Sequence, residues 1–242
     1  MLQAFYSASV GAQQQMMGMN VHGNNIANVN TYGYKAEKPA FGVLMNSMVN
    51  GVDGVQLPKG SGAAVMSTAT DFREAEITQT GRDQDYAILG PGFFALYDPS
   101  TQEISFTRDG SFTISSFQEA GEDGTMETVW YLGDGEGRQV LNTTGYPIVV
   151  TDPTAEQPVG TFLIQYQDGL RHLDSGRFLN GDKNGAVWIG TSEVRRGVLE
   201  TSNTDLATEL GKVIERQRAY VYALRMVTTA DEVENTINGL TN

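Results

Sequence analysis

Residues 206–227 read LATELGKVIERQRAYVYALRMV, and the spacing of the large apolar residues in this stretch decides the fold. Leu206, Leu210, Val213, Gln217, Tyr220, Leu224 and Val227 follow one another in alternating steps of four and three, a series that Leu199 and Asn203 begin. At 3.6 residues per turn such steps keep one stripe of a helix turned toward a partner helix, as in a coiled coil. Ile214 and Val221 form a second apolar line, and one partner cannot cover both. Asn203, Gln217 and Asp231 interrupt the stripe every fourteen residues and would fix its register at some cost in stability. The helix is expected to start near Ser202 or Asn203 as N-cap, with Asp205 in its first turn. It is expected to stop at Asn238-Gly239.

The other end of the chain carries the same spacing in Leu2, Phe5, Ser9, Ala12, Met16, Met19, Gly23 and Ile26. A helix over residues 1 to about 28 follows. Gly11, Gly18 and Gly23 each cost it about 1 kcal/mol relative to Ala. Ala4, Gly11, Gly18 and Asn25 recur every seven residues, a small-residue seam that admits a neighbouring backbone. This segment is expected to be loose in a free monomer and to order on assembly. Asn24, Asn25, Asn28 and Asn30 then end the helix in a turn, because Asn tolerates left-handed geometry.

Residues 36–70, rich in Gly and holding Pro58, read as an extended arm or linker. From residue 71 the pattern is that of short strands: Tyr86–Leu89, Phe93–Tyr97, Ile104–Thr107, Phe112–Ser115, Val129–Leu132, Ile148–Thr151, Phe162–Tyr166 and Val187–Ile189. Turn signals such as Arg108-Asp109-Gly110, Asp168-Gly169 and Asn180-Gly181 separate many of them. The expected fold class is α+β, with paired N- and C-terminal coiled-coil helices and a central all-β domain, an antiparallel barrel or sandwich. The divisions are 1–35 (N-terminal helix and Asn-rich turn), 36–70 (arm), 71–194 (β domain) and 195–242 (C-terminal helix).

Charge separates the same regions. Between Asp71 and Val194, 7 Lys and Arg stand against 20 Asp and Glu, so this stretch carries the whole net charge of −13. The neutral ends can crowd against identical ends without a like-charge penalty. No basic stripe offers itself to phosphates, so nucleic acid is not an expected partner. There is no cysteine, which excludes disulfides and thiolate metal sites. The first basic residue is Lys35, which argues against a cleaved signal peptide. No run of about 20 apolar residues could span a bilayer.

Chemistry is hard to assemble from what remains. His22 and His172 are the only histidines, so no metal pair forms at helical spacing and any catalytic triad would have to use one of them. His22 beside the first stripe suits packing or hydrogen bonding, and His172 suits a surface hairpin. Gly90-Pro91-Gly92-Phe93-Phe94-Ala95 fits a dinucleotide fingerprint in letters, but Pro99 would cut off the helix that must receive the pyrophosphate. Asp134-Gly135-Glu136-Gly137 lacks the spacing of a calcium loop. No catalytic residue, cofactor or metal, and no small-molecule ligand, is expected.

The stretch Asn24-Asn25-Ile26-Ala27-Asn28-Val29-Asn30-Thr31-Tyr32-Gly33-Tyr34-Lys35 closely resembles the N-terminal signature of bacterial flagellar rod and hook proteins. Gly197-Val198-Leu199-Glu200-Thr201-Ser202-Asn203, followed by Asp205-Leu206, is similar to their C-terminal block, as is Gln217-Arg218-Ala219-Tyr220. Asp71-Phe72, Asp85 to Gly90, Gly92-Phe93-Phe94 and Phe106 to Phe112 resemble the rod proteins' central blocks. The resemblance covers nearly half the chain, in the family's order. It implies a structural subunit of the flagellar basal-body rod, distal or proximal, that transmits torque and is not an enzyme. Its implied partners are copies of itself, other rod and hook proteins, and the flagellar type III export apparatus, which passes the chain out with no signal peptide cleaved.

On this reading Leu2, Phe5, Met16, Met19, Ile26, Leu206, Leu210, Val213, Tyr220, Leu224 and Val227 form the assembly interface. Asn25, Asn28, Asn30 and Gly33 form the turn by which the chain leaves the helical tube. The alternative is a secreted protein that binds or cleaves cell-wall glycan through its β domain and oligomerises through helical tails.

Overall fold

A computed structural model of the chain describes residues 2–43, 47–50, 56–59, 63–120 and 126–240. The chain divides into two compact units, one of residues 1–27, 37–71 and 204–242, the other of residues 28–36 and 72–203. The class is α+β: a helix near each end and many short strands between.

In the first unit, helix α1 spans Leu2–Ala27 and helix α2 spans Leu206–Leu240. The N-cap of α2 is Asp205 rather than Ser202 or Asn203. Its carboxylate accepts the Ala207 N–H at 3.2 Å and the Thr208 hydroxyl, and its carbonyl accepts the Glu209 N–H at 3.0 Å. Those hydrogen bonds hold the Asp205 carboxyl below the usual aspartate range. At the far end α2 passes through Asn238-Gly239 to Leu240, so one Gly did not stop it.

Residues 36–70, expected as an arm, contain paired strands. Glu37–Val43 pairs antiparallel with Ala63–Thr70, with a register shift between Ala40 and Phe41. Ser47–Asn50 pairs with Gln56–Lys59. Pro39 and Pro58 sit within these strands, which a two-stranded ribbon allows because each strand keeps an open edge. The ribbon is pinned to the helices: the Gln14 Oε1 accepts the Val65 N–H at 2.7 Å, and the Arg216 guanidinium lies 4.3 Å from the Phe41 ring centroid.

The second unit is built on a seven-stranded antiparallel sheet. Its order is 171–172, 177–179, 104–107, 94–97, 139–140, 126–133 and 113–120. The order has two ends, so these strands form no closed barrel. Alternation along the central strand explains why the sheet is buried on both sides. Phe94 and Leu96 point into one cluster with Tyr86, Phe112, Leu132 and Val140. Phe93 and Ala95 point into the other with Phe106, Phe162 and Phe178.

Two expectations for this unit need correcting. Ile148–Thr151 is not a ladder strand: Val149 makes one isolated bridge to Tyr131, although Ile148 and Val150 are core residues. The apolar run located the burial but not the pairing. Residues 195–200, grouped with the C-terminal helical segment, supply strand instead. Glu193–Arg196 pairs with Tyr86–Leu89, and Val198–Glu200 pairs with Ile77–Gln79. His172 lies in the strand pair at the sheet edge, its ring 4.6 Å from that of Phe178.

The same unit contains a buried cluster of charges drawn from distant parts of the chain. The Lys35 ammonium donates to the Glu200 Oε1 at 2.7 Å and to the Arg73 carbonyl at 2.7 Å. The Arg108 Nη1 donates to the Glu200 Oε2 at 3.2 Å, and its Nη2 to the Gly90 carbonyl at 2.7 Å. Ala75 adds a backbone N–H to the Glu200 Oε1 at 3.0 Å. Lys35, Arg108 and Glu200 are all buried. Desolvation pulls the Lys35 and Arg108 pKa values below their ordinary range, and the facing Glu200 opposes this. Such charges are tolerable only when their partners are complete.

Gly33 seals the cluster. Its N–H donates to the Glu200 carbonyl at 2.8 Å, and its φ is +66°. A Cβ there would stand 2.2 Å from the Asp109 backbone nitrogen, so only glycine fits. Asn203 completes the closure by accepting the Ala36 N–H at 2.8 Å and donating its own N–H to the Tyr34 carbonyl at 3.3 Å.

Glu200→Gln is expected to cost about 3–5 kcal/mol, because it leaves two buried cations without a counter-charge. Lys35→Met should cost less, since Glu200 keeps Arg108 and the Ala75 N–H. Urea unfolding midpoints of the two variants, compared at neutral pH, check this order. A second expectation concerns Asp109, whose carboxyl is pushed above the usual aspartate range by burial. A raised pKa means that the folded state resists the charged form. Asp109→Asn, which can still accept the Ser111 N–H, should therefore gain stability over the parent at pH 7, where the parent's carboxyl is charged. The gain should vanish below the ordinary aspartate range, where the carboxyl is neutral in both folded and unfolded chains. Unfolding midpoints across pH 3 to 7 test the sign.

Candidate assembly interface

Helices α1 and α2 pack against each other. His22 Nδ1 meets Glu209 Oε2 at 2.7 Å, and Gln15 Oε1 accepts from Arg216 Nη1 at 3.1 Å. Seven residues back along α1 thus match seven residues forward along α2, so the helices run antiparallel. The buried positions of α1 include Ala8, Ala12, Gly18, His22 and Asn25, small or polar rather than greasy. Their small side chains let the backbones approach. At Gly18 a Cβ would lie 3.2 Å from the Phe41 ring.

On α2 the less exposed positions include Glu209, Val213, Arg216, Tyr220, Ala223, Val227 and Ala230. Their spacing again alternates four and three, as a helix-packing stripe should. It is not the stripe read from hydrophobicity. Val213, Tyr220 and Val227 belong to both. Leu206, Leu210 and Leu224 do not, and they remain 44%, 46% and 40% exposed. On α1, Phe5 and Met16 are exposed while Met19 and Ile26 are half-buried. The side chain of Leu2 lies outside the described residues. Ile214, Val221 and Tyr222 add to the exposed apolar surface of α2. No helix among the described residues is long and apolar enough to cross a membrane.

Polar residues hold this helix pair in register. Asn25, completely buried, accepts the Glu37 N–H at 2.9 Å and donates to the Glu37 carbonyl at 2.8 Å and to Glu209 Oε2 at 3.2 Å. One amide therefore ties the last turn of α1 to the ribbon and to α2. His22 has the hydrogen-bonding role expected of it, with Glu209 as partner. Among the other turn residues, Asn28 accepts from Thr31 through its backbone and side-chain oxygens at 3.1 and 3.2 Å, and Asn30 is exposed. Gly33 serves the charge cluster of the second unit.

Spacing arguments did not find Lys35, Arg108, Glu200 or Glu209 as structural residues. All but Glu209 lie within quoted motif blocks, and that was the only signal for them. A buried charge has no periodicity, and its partners here lie 92 and 165 residues apart in sequence.

Comparison with known proteins agrees with these features. Residues 5–35 match the flagella basal body rod protein model, and residues 195–240 match the flagellar basal body rod FlgEFG protein C-terminal model. The chain is 30% identical over 236 residues to flagellar basal-body rod protein FlgF of Caulobacter vibrioides, covering 93% of each. It is 29% identical over 256 residues to flagellar basal-body rod protein FlgG of Buchnera aphidicola subsp. Baizongia pistaciae, covering 96% of this chain and 97% of that one. FlgG of Bacillus subtilis is 27% identical over 274 residues at the same coverage. At that identity and span, the chain belongs to the flagellar basal-body rod protein family.

Proposed function

We propose that the chain is a structural subunit of the flagellar basal-body rod, of distal or proximal type, and that it polymerises through the outward faces of α1 and α2. Its place is the basal body, outside the cytoplasmic membrane, in contact with copies of itself and with other rod and hook proteins. The export apparatus passes it out before assembly. The observation that carries the reading is the row of exposed apolar residues along a helix pair whose inner face is held by the His22–Glu209, Asn25–Glu209 and Gln15–Arg216 hydrogen bonds. Leu206, Leu210, Ile214, Val221 and Leu224 stay in water in the single chain. Each is already about half covered, so burying the rest against a neighbour gains about 1 kcal/mol, roughly half the value for a fully exposed side chain.

The helices of neighbouring copies pack through this row in coiled-coil fashion, and torque passes along the resulting tube. Most of the surface charge belongs to residues 71–194 and the helical ends are nearly neutral, so close packing of copies through the helices meets little repulsion. In this family assignment the chain is a structural element and not an enzyme. The glycan-binding alternative gains no comparable observation.

The double variant Leu210→Asp, Leu224→Asp tests the reading in the cell. Both positions are exposed, so the folded monomer should lose less than about 1 kcal/mol. The variant should be exported at the parent's level yet yield no complete rods in isolated basal bodies and no swimming. Normal motility would refute the packing role of this face.

A further inference from the structure

The less exposed line of α2 stops at Ala230, and every position from 231 to 240 is exposed. At the register set by His22–Glu209 and Gln15–Arg216, Leu2 faces roughly residue 229. The last ten described residues of α2, about 15 Å of helix, therefore project past α1. This tail has a definite chemistry. Asp231, Glu232 and Glu234 give it three negative charges and no positive one. Val233 and Leu240 give it exposed apolar side chains, Leu240 at 82%.

The outward face of the middle of the same helix is its complement. Gly211, Ile214, Arg218 and Tyr222 line one shallow groove, and Val221 and Arg225 with Tyr222 line a second that adjoins it, each of about 380 Å³. Between Leu210 and Arg225 the helix holds Lys212, Arg216, Arg218 and Arg225 against the single acid Glu215. Arg216 turns inward over Phe41, while Lys212 points outward and pairs with Glu215 at 3.1 Å. Arg218 and Arg225 thus stand beside an apolar floor with no acidic residue among the groove's lining except Glu215.

We propose that the acidic tail of one copy, residues 231–240, seats in the basic groove around Arg218, Tyr222 and Arg225 on α2 of the next copy. This rests on the rod-subunit reading and names the contact that sets its polarity. The tail of each copy is taken to seat on a copy whose own tail seats on a third, so the contact is heterologous. It repeats head to tail and does not close after two copies. Charge complementarity selects a second copy of this chain over the uncharged face of α1, which holds no Asp, Glu, Lys or Arg. Valine and leucine supply burial, and the ion pairs supply register and direction.

The full chain has no cysteine, so engineered thiols report this contact directly. Val233→Cys and Tyr222→Cys lie eleven residues apart on one helix, about 16 Å, too far for a disulfide within a single chain. Mixing the two single variants under mild oxidation should give a disulfide dimer holding one of each as the main product. Arg218→Glu with Arg225→Glu in the Tyr222→Cys chain should lower its yield at least tenfold. Asp231→Lys with Glu234→Lys in the partner chain should restore it. Raising salt to about 1 M, where screening acts within about 3 Å, should lower the yield of the unreversed pair. Like-with-like dimers as the main product, or a yield indifferent to charge reversal, would overturn the tail-in-groove contact. If sedimentation still showed large assemblies in that case, the rod reading would stand without it. If the cysteine-free parent did not self-associate at any concentration, both would fall.

Discussion

Three far-apart segments of the second unit, at Lys35, Ala75 and Arg108, meet at the carboxylate of Glu200. It binds the Lys35 ammonium, the Arg108 guanidinium and the Ala75 N–H, and the carbonyl of the same residue binds the Gly33 N–H. Residues 28–36 have no strand of their own in this unit. They are held by hydrogen bonds to Glu200, Asn203 and the Arg73 carbonyl. A hydrophobic contact would resist separation but would tolerate sliding. A charge cluster in low dielectric does not, because every alternative register leaves an ion unpaired. The cluster therefore gives position more than stability, which suits a protein whose early and late segments must meet in one arrangement.

The helix pair obeys a different economy. Its inner face mixes Val213, Tyr220 and Val227 with alanine, glycine, histidine, asparagine, glutamate and arginine, and many of its larger apolar residues face outward. In a monomeric protein that arrangement would be a solubility fault. In a subunit that polymerises it divides two tasks. Hydrogen bonds such as His22–Glu209 and Asn25–Glu37 define how the helices of one chain sit together. On the proposed packing, burial of Leu206, Leu210, Ile214 and Leu224 is left for the neighbour. The four-three spacing is present twice on α2, one step apart, and on the proposed packing the two lines serve two surfaces.

The sequence alone determined the parts of this protein that repeat or alternate. Period 3.6 placed both helices, short strand-like runs between turn signals placed most strands of the central sheet, and the charge count separated an acidic middle from neutral ends. Motif blocks quoted in order carried the family. Those signals survive in one dimension because they describe a chain against a generic partner, whether solvent, core or another helix.

Only the tertiary structure decided which stripe of α2 faces α1, that residues 37–43 and 63–70 pair as a ribbon, and that residues 195–200, grouped with the C-terminal helix, supply strand. It alone showed that Lys35, Arg108 and Glu200 meet. The reason is physical. Hydrophobicity ranks Leu210 above Glu209, yet Glu209 is the buried one, because His22 and Asn25 stand opposite to satisfy it. Whether a polar group can be buried depends on a partner that no local window contains. Pairing across 92 or 165 residues is therefore settled in space and not along the chain.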